Sequence, residues 1–422
     1  MNQTRVDQGS PGPHGFPATH VMSPAMLTRL ARGEGHDALT FLINTQRSKN
    51  IILARALAIR SAGPVHDALR TVAAHSPATV NRVLTHPSVS NWAMRTVAGN
   101  AEPTGLALVA LAAALRARCD IRIEVTADDG RLPIPTLGVL DVAAGGAVTV
   151  RVEPASAALT VGGERFPLGP DGEIRSPAWH PVDRIALDGW TLTVDDPHTL
   201  APSAQPLIPP ESAGLWTERL SAGWEWLRAR HPADAADVRA AMRTLFPLSP
   251  VASGHVSGTF RHASGCLAIS LPTDPQSTAV TFVHELQHLK LSAVMDLFPL
   301  VDMSSEVRGY APWRDDPRPP SGLLHGCYAH IAVARFWRSE AARENDGARR
   351  REALVEYTRW RLAIERVCAW LLSSGLLTPI GRHFVTQMTR SMESWASDRI
   401  PDDVRAEAAA LNDAHHRRAT TT

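Results

Sequence analysis

The sequence predicts an α+β protein, mostly helical, with a small antiparallel β-rich middle region and a helical HExxH metal-binding domain. Three observations predict it. Apolar residues recur at three- and four-residue steps on both sides of residues 120–200. The intervening stretch enriches β-branched residues between Asp-Gly and Gly-Gly pairs. His284-Glu285-Leu286-Gln287-His288 lies inside one of the helical repeats.

Taken in order, residues 1–19 are rich in Gly, Pro and Ser without an apolar run, so they read as a disordered tail and not as a signal peptide. Residues 20–118 form a helical N-terminal region. Ser23-Pro24 offers an N-cap followed by proline at the first helical position, and Asp37 to Arg60, Val65 to Ala74 and Gly105 to Arg118 carry helical spacing. Residues 119–201 form the β-rich region: IRIEV, GAVTVRVE, AALTV, RIAL and WTLTVDD are strands, punctuated by Asp129-Gly130, Gly162-Gly163, Asp171-Gly172 and Asp188-Gly189. A Pro-rich linker, 202–212, precedes a helical metal-binding catalytic domain, 213–418. Trp216, Trp224 and Trp226 at its start read as core packing.

At 422 residues the chain is too long for one ordinary core. A net charge of +1, with no basic stripe interleaved with aromatics, argues against nucleic acid as partner. No apolar run is long enough for a membrane span, so no membrane partner is expected. Cys119, Cys266, Cys327 and Cys368 are widely spaced, which speaks against a zinc knuckle or a disulfide framework and for a reducing cytoplasm. Oligomeric state is not readable from the chain.

The strongest signal is TAVTFVHELQHLKLSAVMDLF. Val280, Val283, Leu286, Leu289, Ala293 and Leu297 make one apolar stripe of a helix. His284 and His288, four apart, project from one face at about one turn's separation, where two imidazoles can share an ion. Glu285, beside the first of them, can reach a metal-bound water or support the site from behind. Two histidines four apart on a helix also occur without any metal, and the apolar back face is what favours the metal reading.

Two ligands hold a metal poorly, so a third is expected. The extended zinc-protease pattern wants Gly and His where this chain has Leu291 and Val294, which excludes that class. Glu306 has the right count for a thermolysin-like ligand, but DMSSEVRGY lacks helical periodicity. The better donors are His325 and His330 in SGLLHGCYAHIAVARFW, a helix whose start Pro319-Pro320 and Ser321 mark. They are five apart and do not share a face; one is a ligand candidate and the other a neighbour, and either is also compatible with a core histidine. Arg314 and Arg318 in YAPWRDDPRPP offer forks for a carboxylate, or else pair with Asp315 and Asp316 and hold the loop shut.

The blocks GTFRHASGCLAISLPTDP, VHELQHLKLSAVMDL, YAPWRDDPRP and GLLHGCYAHIAVARFWR together resemble the HExxH-motif proteins of bacterial peptide-modification (RiPP) clusters, viewed as 2-oxoglutarate-dependent peptide β-hydroxylases. MSPAMLTRLARGEG, QRSKNIILARAL, HPSVSNWA and LPIPTLGVL extend the resemblance over nearly the whole chain. It implies iron(II) at His284 and His288, with a third ligand from the GLLHGCYAH helix: His330, or else His325. It further implies 2-oxoglutarate held by Arg314 or Arg318 with Ser264 lining the pocket, and a ribosomally made precursor peptide as partner. Three histidines would depart from the usual two-His, one-carboxylate oxygenase set. Three protein donors on one face of six-coordinate iron leave three positions open for cosubstrate and oxygen. On this reading Glu285 orients a ligand or the cosubstrate.

Three functions therefore compete. One is Fe(II)/2-oxoglutarate-dependent hydroxylation of a peptide at a side-chain β-carbon. Another is a zinc peptidase, Zn(II) replacing iron and Glu285 serving as general base. The last is a non-catalytic peptide-binding or scaffold protein in which the motif is a relic; separately, the β-rich region offers an edge where a leader peptide could add a strand.

Overall fold

Proline opens nine of the helices among the described residues, at the position where its missing N–H costs no hydrogen bond. The computed structural model describes residues 20–421 except 61, 62, 144, 171 and 253. The expected N-terminal tail lies outside them, as does Asp171 of one turn pair. Described residues are 56% helical and 15% strand, which makes the protein α+β with helices dominant.

Six helices come first: α1 (Pro24–Ala31), α2 (His36–Arg60), α3 (Pro64–His75), α4 (Pro77–Leu84), α5 (Pro87–Val97) and α6 (Gly105–Ala117). The Ser23 hydroxyl accepts from the Met26 N–H and caps α1, as its sequence position predicts. Helix α6 is apolar nearly all round and lies buried from Gly105 to Leu115 apart from Leu108.

Strands β1 (Ile121–Ala127), β2 (Arg131–Ile134), β3 (Gly138–Asp141), β4 (Gly146–Glu153), β5 (Ala158–Val161), β6 (Glu164–Pro167) and β7 (Trp179–Pro181) follow. They make two antiparallel sheets, ordered β1-β4-β5-β6 and β2-β3-β7. Alternate residues Ile121, Ile123, Val125 and Ala127 of β1 face inward, against the first helices. Asp129-Gly130 and Gly162-Gly163 turn with positive φ at both residues, the geometry that matches strand twist in a two-residue hairpin.

The last expected strands, β8 (Arg184–Leu187) and β9 (Trp190–Val194), leave this region. They join β10 (Thr244–Pro247), β11 (Ser257–Gly258) and β12 (Cys266–Ile269) in a sheet ordered β11-β12-β10-β9-β8, in which β10 runs parallel to both neighbours. A mixed sheet thus crosses the boundary read at 201. Ile208, in the Pro-rich linker, is buried in a core, so at least this part of the segment is packed down. Helices α7 (Pro210–Arg230), α8 (Pro232–Ala241), α9 (Pro275–Leu297), α10 (Pro320–Arg343), α11 (Gly347–Ser373), α12 (Pro379–Ser391) and α13 (Asp402–Thr421) complete the chain.

Apolar side chains gather into three cores. One lies between α2–α6 and the first strands. A second joins α1, α9, α10, α11 and α12. The third packs α7, α8, α9 and α10 on the mixed sheet, and Trp216 and Trp224 are buried there. Helices α9 and α10 belong to the last two cores, so both are fixed along their length. The four cysteines are buried and unbridged: Cys119 in the first core, Cys327 and Cys368 in the second, and Cys266 on β12. No helix among the described residues is long and apolar enough to cross a membrane.

Candidate metal centre

The side chain of Asp274 caps α9 by accepting from the Ser277 N–H at 2.8 Å, and the helix then runs buried between two cores. On one face, Nε2 of His284 and Nε2 of His288 stand 3.0 Å apart. Helix α10 packs against α9 and brings both of its histidines to this face. Nδ1 of His325 lies 3.3 Å from Nδ1 of His288. The His330 ring meets His284 edge-on, centroids 5.1 Å apart. Nδ1 of His330 donates to the Gly326 carbonyl at 2.8 Å, which sets the tautomer and leaves Nε2 as a lone-pair donor.

Glu285 is buried beside them. Its Oε1 accepts from the Ser257 hydroxyl on β11 at 2.7 Å and lies 3.9 Å from His284 Nε2, while its Oε2 has no partner. Among the described residues, His284, Glu285 and His288 are the group whose donor atoms all fall within 4.8 Å of one another. His325 and His330 are not members of that group.

Burial governs the electrostatics. It depresses His284 and His330 to about 3 and His325 to about 4, and holds His288 well below its ordinary value. Neighbouring imidazoles add to three of these shifts, and the Arg261 guanidinium adds to that of His325. The same burial raises Glu285 to about 7, against the hydrogen bond from Ser257 and the opposing influence of Thr259. Converging neutral imidazoles and a carboxyl with an unpartnered oxygen are what a borderline or transition-metal cation requires, so the residues fit a metal. They would otherwise leave buried polar atoms unsatisfied, at a cost of about 1–3 kcal/mol for a group such as Oε2.

The other sequence candidates lie apart from this cluster. Arg314 and Arg318 both hold Asp316, at 2.7 and 3.0 Å, in an exposed loop. That is the loop-closing arrangement, made on Asp316; Asp315 sits against His415 instead. Ser264 lines a cavity bordered by Leu289, Lys290 and Ala293, on the far side of α9 from the histidines. Glu306 is exposed in a loop without helical structure.

Residues that motif reading passed over take their places. Trp313 stacks on His330 at 4.9 Å, and Trp360 of α11 closes the other side at 4.3 Å. Thus YAPWRDDPRPP contributes its tryptophan to the centre. Arg261 is half-exposed and only loosely paired, 3.7 Å from Asp296. Trp313 and Arg261 were in blocks already singled out and Trp360 was not, but nothing local marks a stacking partner or a free cation. No protein-family model matches the chain, and no curated protein sequence matches it.

Proposed function

We propose that the protein is a mononuclear metal enzyme whose ion is held by His284 and His288 Nε2 and by a donor from α10. The observation that carries this is the 3.0 Å approach of two partly buried imidazole nitrogens with depressed basicity, next to a carboxyl oxygen that lacks a partner. His330 is the third ligand in this reading. Its Nδ1 is committed to Gly326 while Nε2 is free, whereas His325 meets the far nitrogen of His288 and acts by orienting that ring.

Within that class, the reading best supported by the sequence blocks is Fe(II)/2-oxoglutarate-dependent hydroxylation of a precursor peptide at a side-chain β-carbon. When bound, iron(II) would supply the chemistry by which dioxygen, the co-reactant, oxidises the C–H bond while 2-oxoglutarate is oxidised to succinate and carbon dioxide. The protein's own residues hold the ligands neutral, keep water from the apolar side of the centre through Trp313 and Trp360, and present a cation to the cosubstrate. Arg261 suits that last role, because its pairing with Asp296 is loose and it adjoins His325. Arg314 and Arg318 would first have to release Asp316.

One observation favours zinc peptidase as a second reading: Glu285 lies inside the donor group with a raised basicity suited to a general base. The two readings separate by mass. Anaerobically purified protein given peptide, iron(II), ascorbate and 2-oxoglutarate and then exposed to air should add one oxygen to the peptide, and without air it should not. Two shorter fragments would establish the peptidase, and an unchanged peptide with no metal retained would end both.

A further inference from the structure

A cavity lies behind α9. Its volume is about 330 Å³, at the small end of ligand pockets, and it opens between α2, α4 and the α9 face opposite His284 and His288. Arg47, Arg82 and Arg243 reach it from three separate elements, and none of its lining residues is acidic. Arg243 is pinned at the start of β10: its N–H donates to the Gly265 carbonyl at 2.9 Å and its carbonyl accepts from Thr193 at 3.0 Å. Among the described residues its guanidinium meets the Thr85 hydroxyl, at 3.5 Å, and forms no ion pair. Burial lowers its basicity and no carboxylate offsets the shift. Arg47 and Arg82 form no ion pair among the described residues, whereas Lys290 is neutralised by Asp237 at 3.0 Å. Three guanidinium groups lining one cavity with no acidic residue in its wall would gain from a bound anion. Leu42, Leu289 and Ala293 give the same cavity an apolar wall.

We propose that this cavity is an anion-binding site for a carboxylate or phosphate group carried on a small, partly apolar body. Helix α9 separates it from the metal centre, so the anion is a bound effector or anchor and not a reactant there. The inference does not depend on the function proposed above.

Calorimetric titration of the metal-free protein tests it, with inorganic phosphate as a free anion and an acetylated, amidated tri-glutamate peptide as a chain-borne carboxylate. Saturable binding of either at one per chain supports the site, and the tighter of the two identifies the source. Arg243→Gln and Arg82→Gln should each weaken binding at least about tenfold, the order expected for losing one charged hydrogen-bond donor. Arg122→Gln, on the exposed face of β1, should leave it unchanged. If Arg243→Gln fails to fold, the exposed Arg82 carries the test alone. Absence of binding by both probes, or binding undiminished in every arginine variant that folds, would overturn the proposal.

Discussion

His330 is held by four contacts at once: the Gly326 carbonyl on Nδ1, Trp313 and Trp360 against its ring, and His284 at its edge. Gly326 makes this possible, since a Cβ there would stand 2.0 Å from the Trp313 ring. Gly326→Ala should therefore expel Trp313 and loosen His330. We expect metal affinity to fall about 10- to 100-fold, the usual cost of a lost supporting contact, with far-UV dichroism unchanged. Competition with a chromogenic chelator reads the affinity. Arg261→Gln should raise KM for 2-oxoglutarate about tenfold or more, while Arg314→Gln should change it little; the reverse ranking would return the cosubstrate to the loop. At this scale the sequence shows the histidines by their spacing. It does not show which nitrogen each one offers, because that depends on partners such as Gly326 and His325 that only packing supplies.

The helix carrying the motif is fixed by more than its apolar stripe. Lys290, on its far side, is buried with Asp237 of α8, which also accepts from His36 of α2 at 2.6 Å. Asp296, near its end, takes Lys49 and Gln46 of α2 at 2.6 and 3.0 Å. Lys290→Ala would leave Asp237 short of its buried partner and should cost about 3–5 kcal/mol, read from the urea midpoint. Periodicity made α9 and α10 legible, and the Asp-Gly and Gly-Gly pairs made the hairpins legible. Strands β10 and β12 were not. TLFP and CLAI are short apolar runs that a buried helix segment would carry equally well, and parallel pairing leaves no local turn signal.

Over the whole molecule, the mixed sheet ties the two halves of the sequence together, since β9 supplies an edge to β10 across the Pro-rich segment. A fragment beginning at residue 213 should therefore be insoluble or molten, with near-UV dichroism lost, because Leu245 and Phe282 would lose Leu192 and Val194 as packing partners. Acid should also unfold the metal-free protein. His86, His284, His325 and His330 stay neutral in the fold below their unfolded value, so the unfolded chain takes up their protons as pH drops below about 6.5. Asp195 and Glu285, raised to about 7, act in the opposite sense, their contribution being lost as pH rises through 7. Histidines outnumber carboxyls, so stability should decline from pH 6.5 toward 4, each excess proton contributing about 1.4 kcal/mol per pH unit. Chemical denaturation across that range measures the slope.

The distribution of cysteines has a further use. Each region of the fold contains its own sealed thiol: Cys119 among the first helices, Cys266 in the mixed sheet, Cys327 and Cys368 between α10 and α11. An alkylating reagent can reach them only when that region opens, so site-resolved labelling rates would order the regions by opening free energy. The protein carries a native set of exchange clocks, and the pair beside the candidate centre should slow most when an ion binds.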